Sequence, residues 1–167
     1  EQFVSAGVTH FLVETLSSDD GVSELAAWLE EHCPDAFLIA SFAVGPDGFT
    51  REGLPGRALL KRTAALPGVD GVGFNCMSGP HHLLSLVRGL KLEGTMLSVM
   101  PNAGYPTVLG RRTAYQGTPD YFAQQMAQIL RAGASIVGGC CGTTPEHIAR
   151  LARLLREEPA APAAVVS

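Results

Sequence analysis

Five times between residues 8 and 137 a short apolar run is followed by the start of a helix, and no other feature of the 167-residue sequence narrows the fold so far. The runs are residues 8–15, 36–42, 69–74, 95–100 and 134–137. Each has the length of a strand, and residues 36–42 are hydrophobic almost throughout, as suits a strand covered on both faces. The helix signals between them are as regular. Residues 17–20, Ser-Ser-Asp-Asp, read as the cap of a helix that puts Leu25, Trp28 and Leu29 on one face and stops at Pro34. A helix over about 58–66 comes next, and Gly79-Pro80 opens another with Leu83, Leu84, Leu86, Val87 and Leu90 as core residues. Thr118-Pro119-Asp120 caps a helix that Gly133 closes, and Thr144-Pro145-Glu146 opens the last one, to about Arg156. Residues 1–6 read as the end of a helix stopped by Gly7. Strict alternation of strand and helix predicts a parallel sheet with helical crossovers.

The polar residues sharpen that prediction. Glu14, Asn75, Cys76, Asn102, Cys140 and Cys141 all fall at the carboxyl ends of expected strands. Several strand ends converging on one face is how a (β/α)8 TIM-barrel type protein builds its site. Five units do not close such a barrel, so the chain is expected to cover about the last five strand-helix units, with three amino-terminal strands absent. An open doubly wound sheet is the other architecture, but Gly68, Gly71 and Gly73 lack the spacing of a phosphate-binding loop and precede a strand. The Gly, Pro and Asp-rich loop 44–55 is long enough to suggest a functional role. Residues 108–117 read as a polar segment, and 158–167, rich in Ala and Pro, as a linker or disordered tail.

Adjacent residues of a strand point to opposite faces, so the strand must end before Cys140 and Cys141 if both sulfurs are to reach one point. Gly138, Gly139 and Gly142 supply the freedom to turn them. A bare cysteine pair reads equally well as buried packing beside a tight turn, but Cys76 adds a third thiol at a strand end. Together the three form a candidate zinc site with one open position, the pattern of catalysis rather than structural closure. Three anionic sulfurs make zinc a poor Lewis acid for water and suit it to a soft fourth ligand such as a substrate thiol. Alkyl transfer to that sulfur is the matching chemistry. With 46% hydrophobic residues and a net charge of −4, the chain offers nothing basic enough for nucleic acid. No segment reads as a membrane span or a secretory leader, and the four cysteines are expected to be reduced thiols in a cytoplasmic protein.

On these residues the sequence resembles the homocysteine S-methyltransferase family. That family includes the homocysteine domain of cobalamin-dependent methionine synthase, betaine-homocysteine methyltransferase and S-methylmethionine-dependent enzymes. The matching motifs run in order: Val13-Glu14-Thr15, then Gly71-Val72-Gly73-Phe74-Asn75-Cys76 with Gly79-Pro80, then Pro101-Asn102-Ala103-Gly104, then residues 138–147. They span nearly the whole chain, and the last is highly specific. The resemblance implies that residues 1–157 are the carboxyl-terminal part of a homocysteine-binding barrel domain and that the enzyme methylates homocysteine to methionine. It implies zinc as cofactor, with Cys76, Cys140 and Cys141 as metal ligands and catalytic residues and the homocysteine sulfur as fourth ligand. It further implies that Glu14 contacts the substrate amino group and that Asn102 fills the open metal position before substrate binds. Residues 100–112 and Tyr121-Phe122-Ala123 look most like bacterial proteins fused to a methylenetetrahydrofolate reductase. Methyl-folate or methylcobalamin is therefore the favoured donor over betaine or S-methylmethionine. The family's first strands also contribute to the amino-acid site, so another domain or chain is expected to complete the barrel.

Simpler readings stand beside these. Glu14 could be a cap or salt-bridge partner, and Asn102 could satisfy a turn. Cys33 reads as a non-functional thiol, His10 as a strand residue, and His81, His82 and His147 as capping or solvent-facing groups. Arg111 and Arg112 read as a solvated loop or as contacts for a folate tail or partner domain. Two other functions fit the same residues. One is a partial-barrel remnant that binds zinc and acts as a non-catalytic assembly module. The other is a redox protein in which Cys140 and Cys141 pair and Cys76 resolves them.

Overall fold

The structure is a computed structural model that describes residues 1–110 and 112–157; Arg111, the side chains of Leu109, Arg112 and Thr113, and the segment 158–167 lie outside it. In chain order the elements are α1 (Gln2–Ser5), β1 (His10–Leu16), α2 (Val22–His32), β2 (Phe37–Phe42), α3 (Gly56–Ala64), β3 (Gly71–Asn75), α4 (Pro80–Val87), β4 (Met96–Met100), β5 (Pro106–Leu109), β6 (Arg112–Tyr115), α5 (Pro119–Arg131), β7 (Ile136–Val137) and α6 (Pro145–Glu157). Strands β1, β2, β3, β4 and β7 form one sheet in that order, every pair parallel. The alternation legible in the sequence is thus realised as five strand-helix units.

Burial explains the composition of each strand. All of β3 and nearly all of β2 are buried, which is why both are apolar or small at successive positions. Strand β1 lies at the sheet edge and alternates exposed and half-buried residues along most of its length. Phe42, Phe74, Phe122, Leu38, Leu59, Leu60, Leu83, Met126 and Ile129 fill the core where the helices cover the sheet. Beside β1, residues of α1 and α2 line an apolar hollow of about 550 Å3 that includes Phe3, Leu12 and Trp28. Among the described residues no helix is long and apolar enough to cross a membrane.

Two local expectations are corrected. Helix α2 is not capped by the Ser and Asp side chains: its N-cap is Gly21, at φ 77°. The reason is competition, since Asp19 accepts a forked hydrogen bond from Arg62 at 2.5 and 2.6 Å, and Ser18 bonds Asp20. The polar segment 108–117 is not simply a loop either. It supplies most of an antiparallel hairpin, β5 against β6, with Pro106 opposite Tyr115 and Val108 opposite Thr113. Its alternating Thr and apolar residues give a strand period, but Pro106 and Gly110 read as loop punctuation. The Thr118 cap of α5 does form, its hydroxyl accepting the Tyr121 N–H at 3.3 Å.

Candidate metal centre

The site is assembled at the carboxyl ends of β3, β4 and β7. Beyond Asn75 the chain turns sharply, with Cys76 at φ 57° and Met77 at φ 53°. Left-handed backbone at residues other than glycine costs of order 1–3 kcal/mol each and survives only where its surroundings impose it. Here the Cys76 N–H donates to the Met100 carbonyl at 3.1 Å, and the Ser78 hydroxyl, fully buried, donates to the Val44 carbonyl at 2.7 Å. The cysteine pair after β7 is stitched to the end of β4. Cys140 N–H donates to the Pro101 carbonyl at 2.8 Å, and Ala103 N–H to the Cys141 carbonyl at 2.9 Å. Asn102, 4% exposed, accepts the Cys141 N–H on its side-chain oxygen at 3.1 Å.

These bonds bring the three sulfurs together. Their atoms lie within 4.8 Å of one another, and Cys76 and Cys141 are 3.6 Å apart. Among the described residues this is the one place where three such donor groups gather. All four cysteines are free, with Cys33 packed against the core well apart in role from the other three. Burial pushes Cys76 up, yet the Met77 N–H, the two neighbouring thiols and the Asn102 amide all point at its sulfur and hold it below its ordinary range. Cys140 goes the other way: burial, its hydrogen bond to Cys76 and the adjacent sulfur charges push it up to about 12. The metal-free cluster therefore holds its protons unequally, Cys76 giving up its own more readily than Cys140.

A second group sits beside it. Asn75, 1% exposed, accepts the Thr15 N–H at 2.8 Å and donates to the Thr15 hydroxyl at 2.9 Å and to Glu14 Oε2 at 3.4 Å. Thr15, at 62°, is the third residue other than glycine with positive φ among the described residues, and all three lie at the ends of β1 and β3. Asn75 thus ties the exposed Glu14 carboxylate to the strand that presents Cys76. The sequence marks Asn75 as a strand-end residue without showing this clamp. Of two other contributors, it marks His147 as a capping or solvent-facing group and gives no sign of Tyr115. His147, 6% exposed, directs Nε2 to the Gly117 carbonyl at 2.8 Å and takes the Thr144 N–H on Nδ1 at 3.2 Å, so it is a capping group locked to the hairpin exit. Tyr115 lies over Gly142. His82 bonds Tyr105 at 2.7 Å and His10 lies on β1, neither joining the sulfurs.

A parallel β/α sheet that gathers three thiols at its strand ends defines a protein of (β/α)-barrel type with a candidate metal site. The chain belongs to the homocysteine S-methyltransferase family, whose model matches residues 1–155. Its curated relatives include methionine synthases of Mycobacterium leprae, 44% identical over 87 residues, and of Mycobacterium tuberculosis, 44% over 93 residues. Those matches span 51% and 54% of this chain but only 7% and 8% of those proteins. Among solved structures it resembles the homocysteine methyltransferase MmuM of Escherichia coli. The apo form matches with a TM-score of 0.65 and 28% identity over 90% of this chain and 51% of that one. The metallated form matches with a TM-score of 0.65 and 29% identity over 90% and 47%. The chain therefore spans about half the length of MmuM, and its five units are an arc of the (β/α)8 fold.

Proposed function

We propose that this chain carries the thiol-activating part of a zinc-dependent homocysteine S-methyltransferase, which methylates the homocysteine sulfur to give methionine. The observation that carries the reading is three sulfurs within 4.8 Å, on two loops, in a chain of this family. The donor set fits zinc, since three soft thiolates fill three of its four tetrahedral positions. Zinc held by Cys76, Cys140 and Cys141 would supply a position where the substrate thiol is kept as its nucleophilic thiolate. The substrate sulfur would bond to the methyl carbon through its own electron pair as the bond between that carbon and the donor breaks, and the donor would leave with the electron pair of the broken bond. Asn102, already aimed at Cys76 and Cys141, holds the unliganded site in shape. Glu14, steadied by Asn75, takes the substrate ammonium. Methyl-folate or methylcobalamin is the donor on the sequence resemblance, and the likeness to two methionine synthases supports methionine as product.

Residues 1–157 act in this reading as the carboxyl-terminal part of the barrel in a cytoplasmic protein, with another domain or chain completing it along the free edge of β1. Zinc-edge absorption of the purified chain tests it. The expected result is three sulfur neighbours per zinc, rising to four when homocysteine is added. Zinc with no change on adding homocysteine would favour the non-catalytic assembly module, and no zinc at all would sink the site.

Metal uptake is also expected to depend on pH. Cys140, with its thiol pushed up to about 12, must lose a proton to bind, and Cys76 gives up its own more readily. Protons compete with the metal, so affinity rises with pH, by about tenfold per unit for each proton displaced between pH 6 and 8. Calorimetric titration in buffers of different ionisation enthalpy counts those protons. A pH-independent affinity over this window would contradict the assignment of Cys140 as a protonated ligand.

A further inference from the structure

The end of β1 departs from its own pattern at Glu14. Val13 pairs with Ala40 and Leu16 with Phe42, so β1 carries two residues, Glu14 and Thr15, where β2 carries only Ser41. That is a β-bulge, a device that re-aims a side chain where a strand ends. Both bulge residues are exposed, although the alternation of β1 would hide one of them. Thr15 sits at φ 62°, a genuine outlier for a β-branched residue, so something outside β1 must hold it there.

The holder is Asn75. Its amide oxygen accepts the Thr15 N–H at 2.8 Å, and its nitrogen donates to the Thr15 hydroxyl at 2.9 Å and to Glu14 Oε2 at 3.4 Å. These bonds join β3 to β1 past the strand that lies between them, from a side chain that is buried. The Glu14 contact is the longest of the three, so Asn75 acts on the carboxylate mainly by fixing the backbone that carries it. The sulfur end is held separately. Cys76 N–H donates to the Met100 carbonyl and Cys140 N–H to the Pro101 carbonyl, both at the end of β4. The Asn75 amide therefore governs where Glu14 stands without itself carrying the sulfurs.

We propose that Asn75 is a positioning residue that sets the span between the Glu14 carboxylate and the three sulfurs, and with it the length of amino thiol that the site accepts. A substrate anchored by its sulfur brings its ammonium to Glu14 only if its carbon chain matches that span, and cysteine is one methylene shorter than homocysteine. A charge-assisted hydrogen bond is lost when one partner is displaced, so a carboxylate held in place discriminates where a loose one does not. The inference rests on the reading above in which Glu14 takes the substrate ammonium, and adds a residue that acts through Glu14 rather than on the substrate.

The test is calorimetric titration of the zinc-loaded chain with homocysteine, with cysteine and with γ-mercaptobutyrate, which is homocysteine without its amino group. The ratio of homocysteine to γ-mercaptobutyrate affinity isolates the ammonium contact, because a change at the sulfurs alters both and cancels. The wild type should bind homocysteine roughly 10–100-fold tighter than γ-mercaptobutyrate, the worth of a hydrogen bond to a charged group, and tighter than cysteine as well. Glu14→Gln should lose that advantage. Asn75→Ala should lose most of it too, and its preference over cysteine should shrink, while its zinc stoichiometry holds. Thr15→Val removes only the hydroxyl bond, on an exposed side chain of the same branched shape, and decides the matter if Asn75→Ala does not fold; both of its ratios should fall roughly fivefold. Wild-type ratios in Asn75→Ala, or in Thr15→Val where that variant decides, would overturn the role of Asn75 and leave the Glu14 reading standing. A wild type that binds homocysteine no tighter than γ-mercaptobutyrate, or a Glu14→Gln variant that keeps the wild-type ratio, would overturn both.

Discussion

Cys76→Ala will take zinc content from one per chain to none after dialysis, while the metal-free protein keeps its fold. Zinc held in structural sites of peptides is worth about 10–16 kcal/mol at neutral pH. Shared over four ligands, that is about 2.5–4 kcal/mol for each, so losing one thiolate should weaken binding by roughly 70- to 900-fold. Cys76 is the ligand to remove because β3 presents it separately, whereas Cys140 and Cys141 share a turn whose backbone is bonded to β4. It is also the least disruptive. Cysteine at φ 57° already bears the left-handed strain that alanine would bear, and the side chain is only half-buried. The change in metal-free stability should stay below about 1 kcal/mol. Elemental analysis beside a thermal melt reads both quantities. Full zinc retention by this variant would remove Cys76 from the site, and a collapsed melt would make it structural.

Gly73→Ala should destabilise the whole sheet. Gly73 pairs with Ser98 across β3 and β4, and a β-carbon there would stand 2.9 Å from the Ser98 carbonyl carbon and nearer still to its oxygen. The obstacle is backbone in a strand paired on both sides, so neither partner can step aside. Overpacking of a rigid core costs about 1–3 kcal/mol and more where backbone must move, and at least 3 kcal/mol is expected here. For a domain of this size that lowers the melting temperature by roughly 6–12 °C. Zinc affinity should fall too, because the same two strands carry Cys76 and Asn102. Gly71→Ala is the internal control: its nearest obstacle is the Ile39 side chain at 3.1 Å, which can rotate, so a smaller loss is expected. Equal melts for the two variants would refute the close approach at Gly73.

Much of this was legible from residue order alone, and the reasons differ by element. The five strand-helix units were readable because a strand buried on both faces must be apolar and a helix start has few chemical solutions. Thr118 shows the method succeeding, since a hydroxyl followed by Pro119 has little other use. Residues 17–20 show it failing. The same Ser and Asp groups that can cap α2 can serve a distant guanidinium, and Arg62 lies 43 residues away. The hairpin was hidden for a related reason: four-residue strands give too short a period to outweigh their flanking Pro and Gly.

The sequence by itself determined the chemistry available, namely three thiols, a carboxylate and two amides, each at a strand end where a parallel sheet would collect them. It did so because strand period, cap residues and cysteine adjacency are local properties of the chain. Only the tertiary structure decided how those groups act on one another. The clamp of Asn75 on Glu14 and Thr15 spans about 60 residues of chain, and the unequal sharing of protons by Cys76 and Cys140 depends on sulfurs 64 residues apart. Tyr115 over Gly142 is of the same kind. Such contacts are set by strand order, register and turn geometry together, and no segment carries them alone.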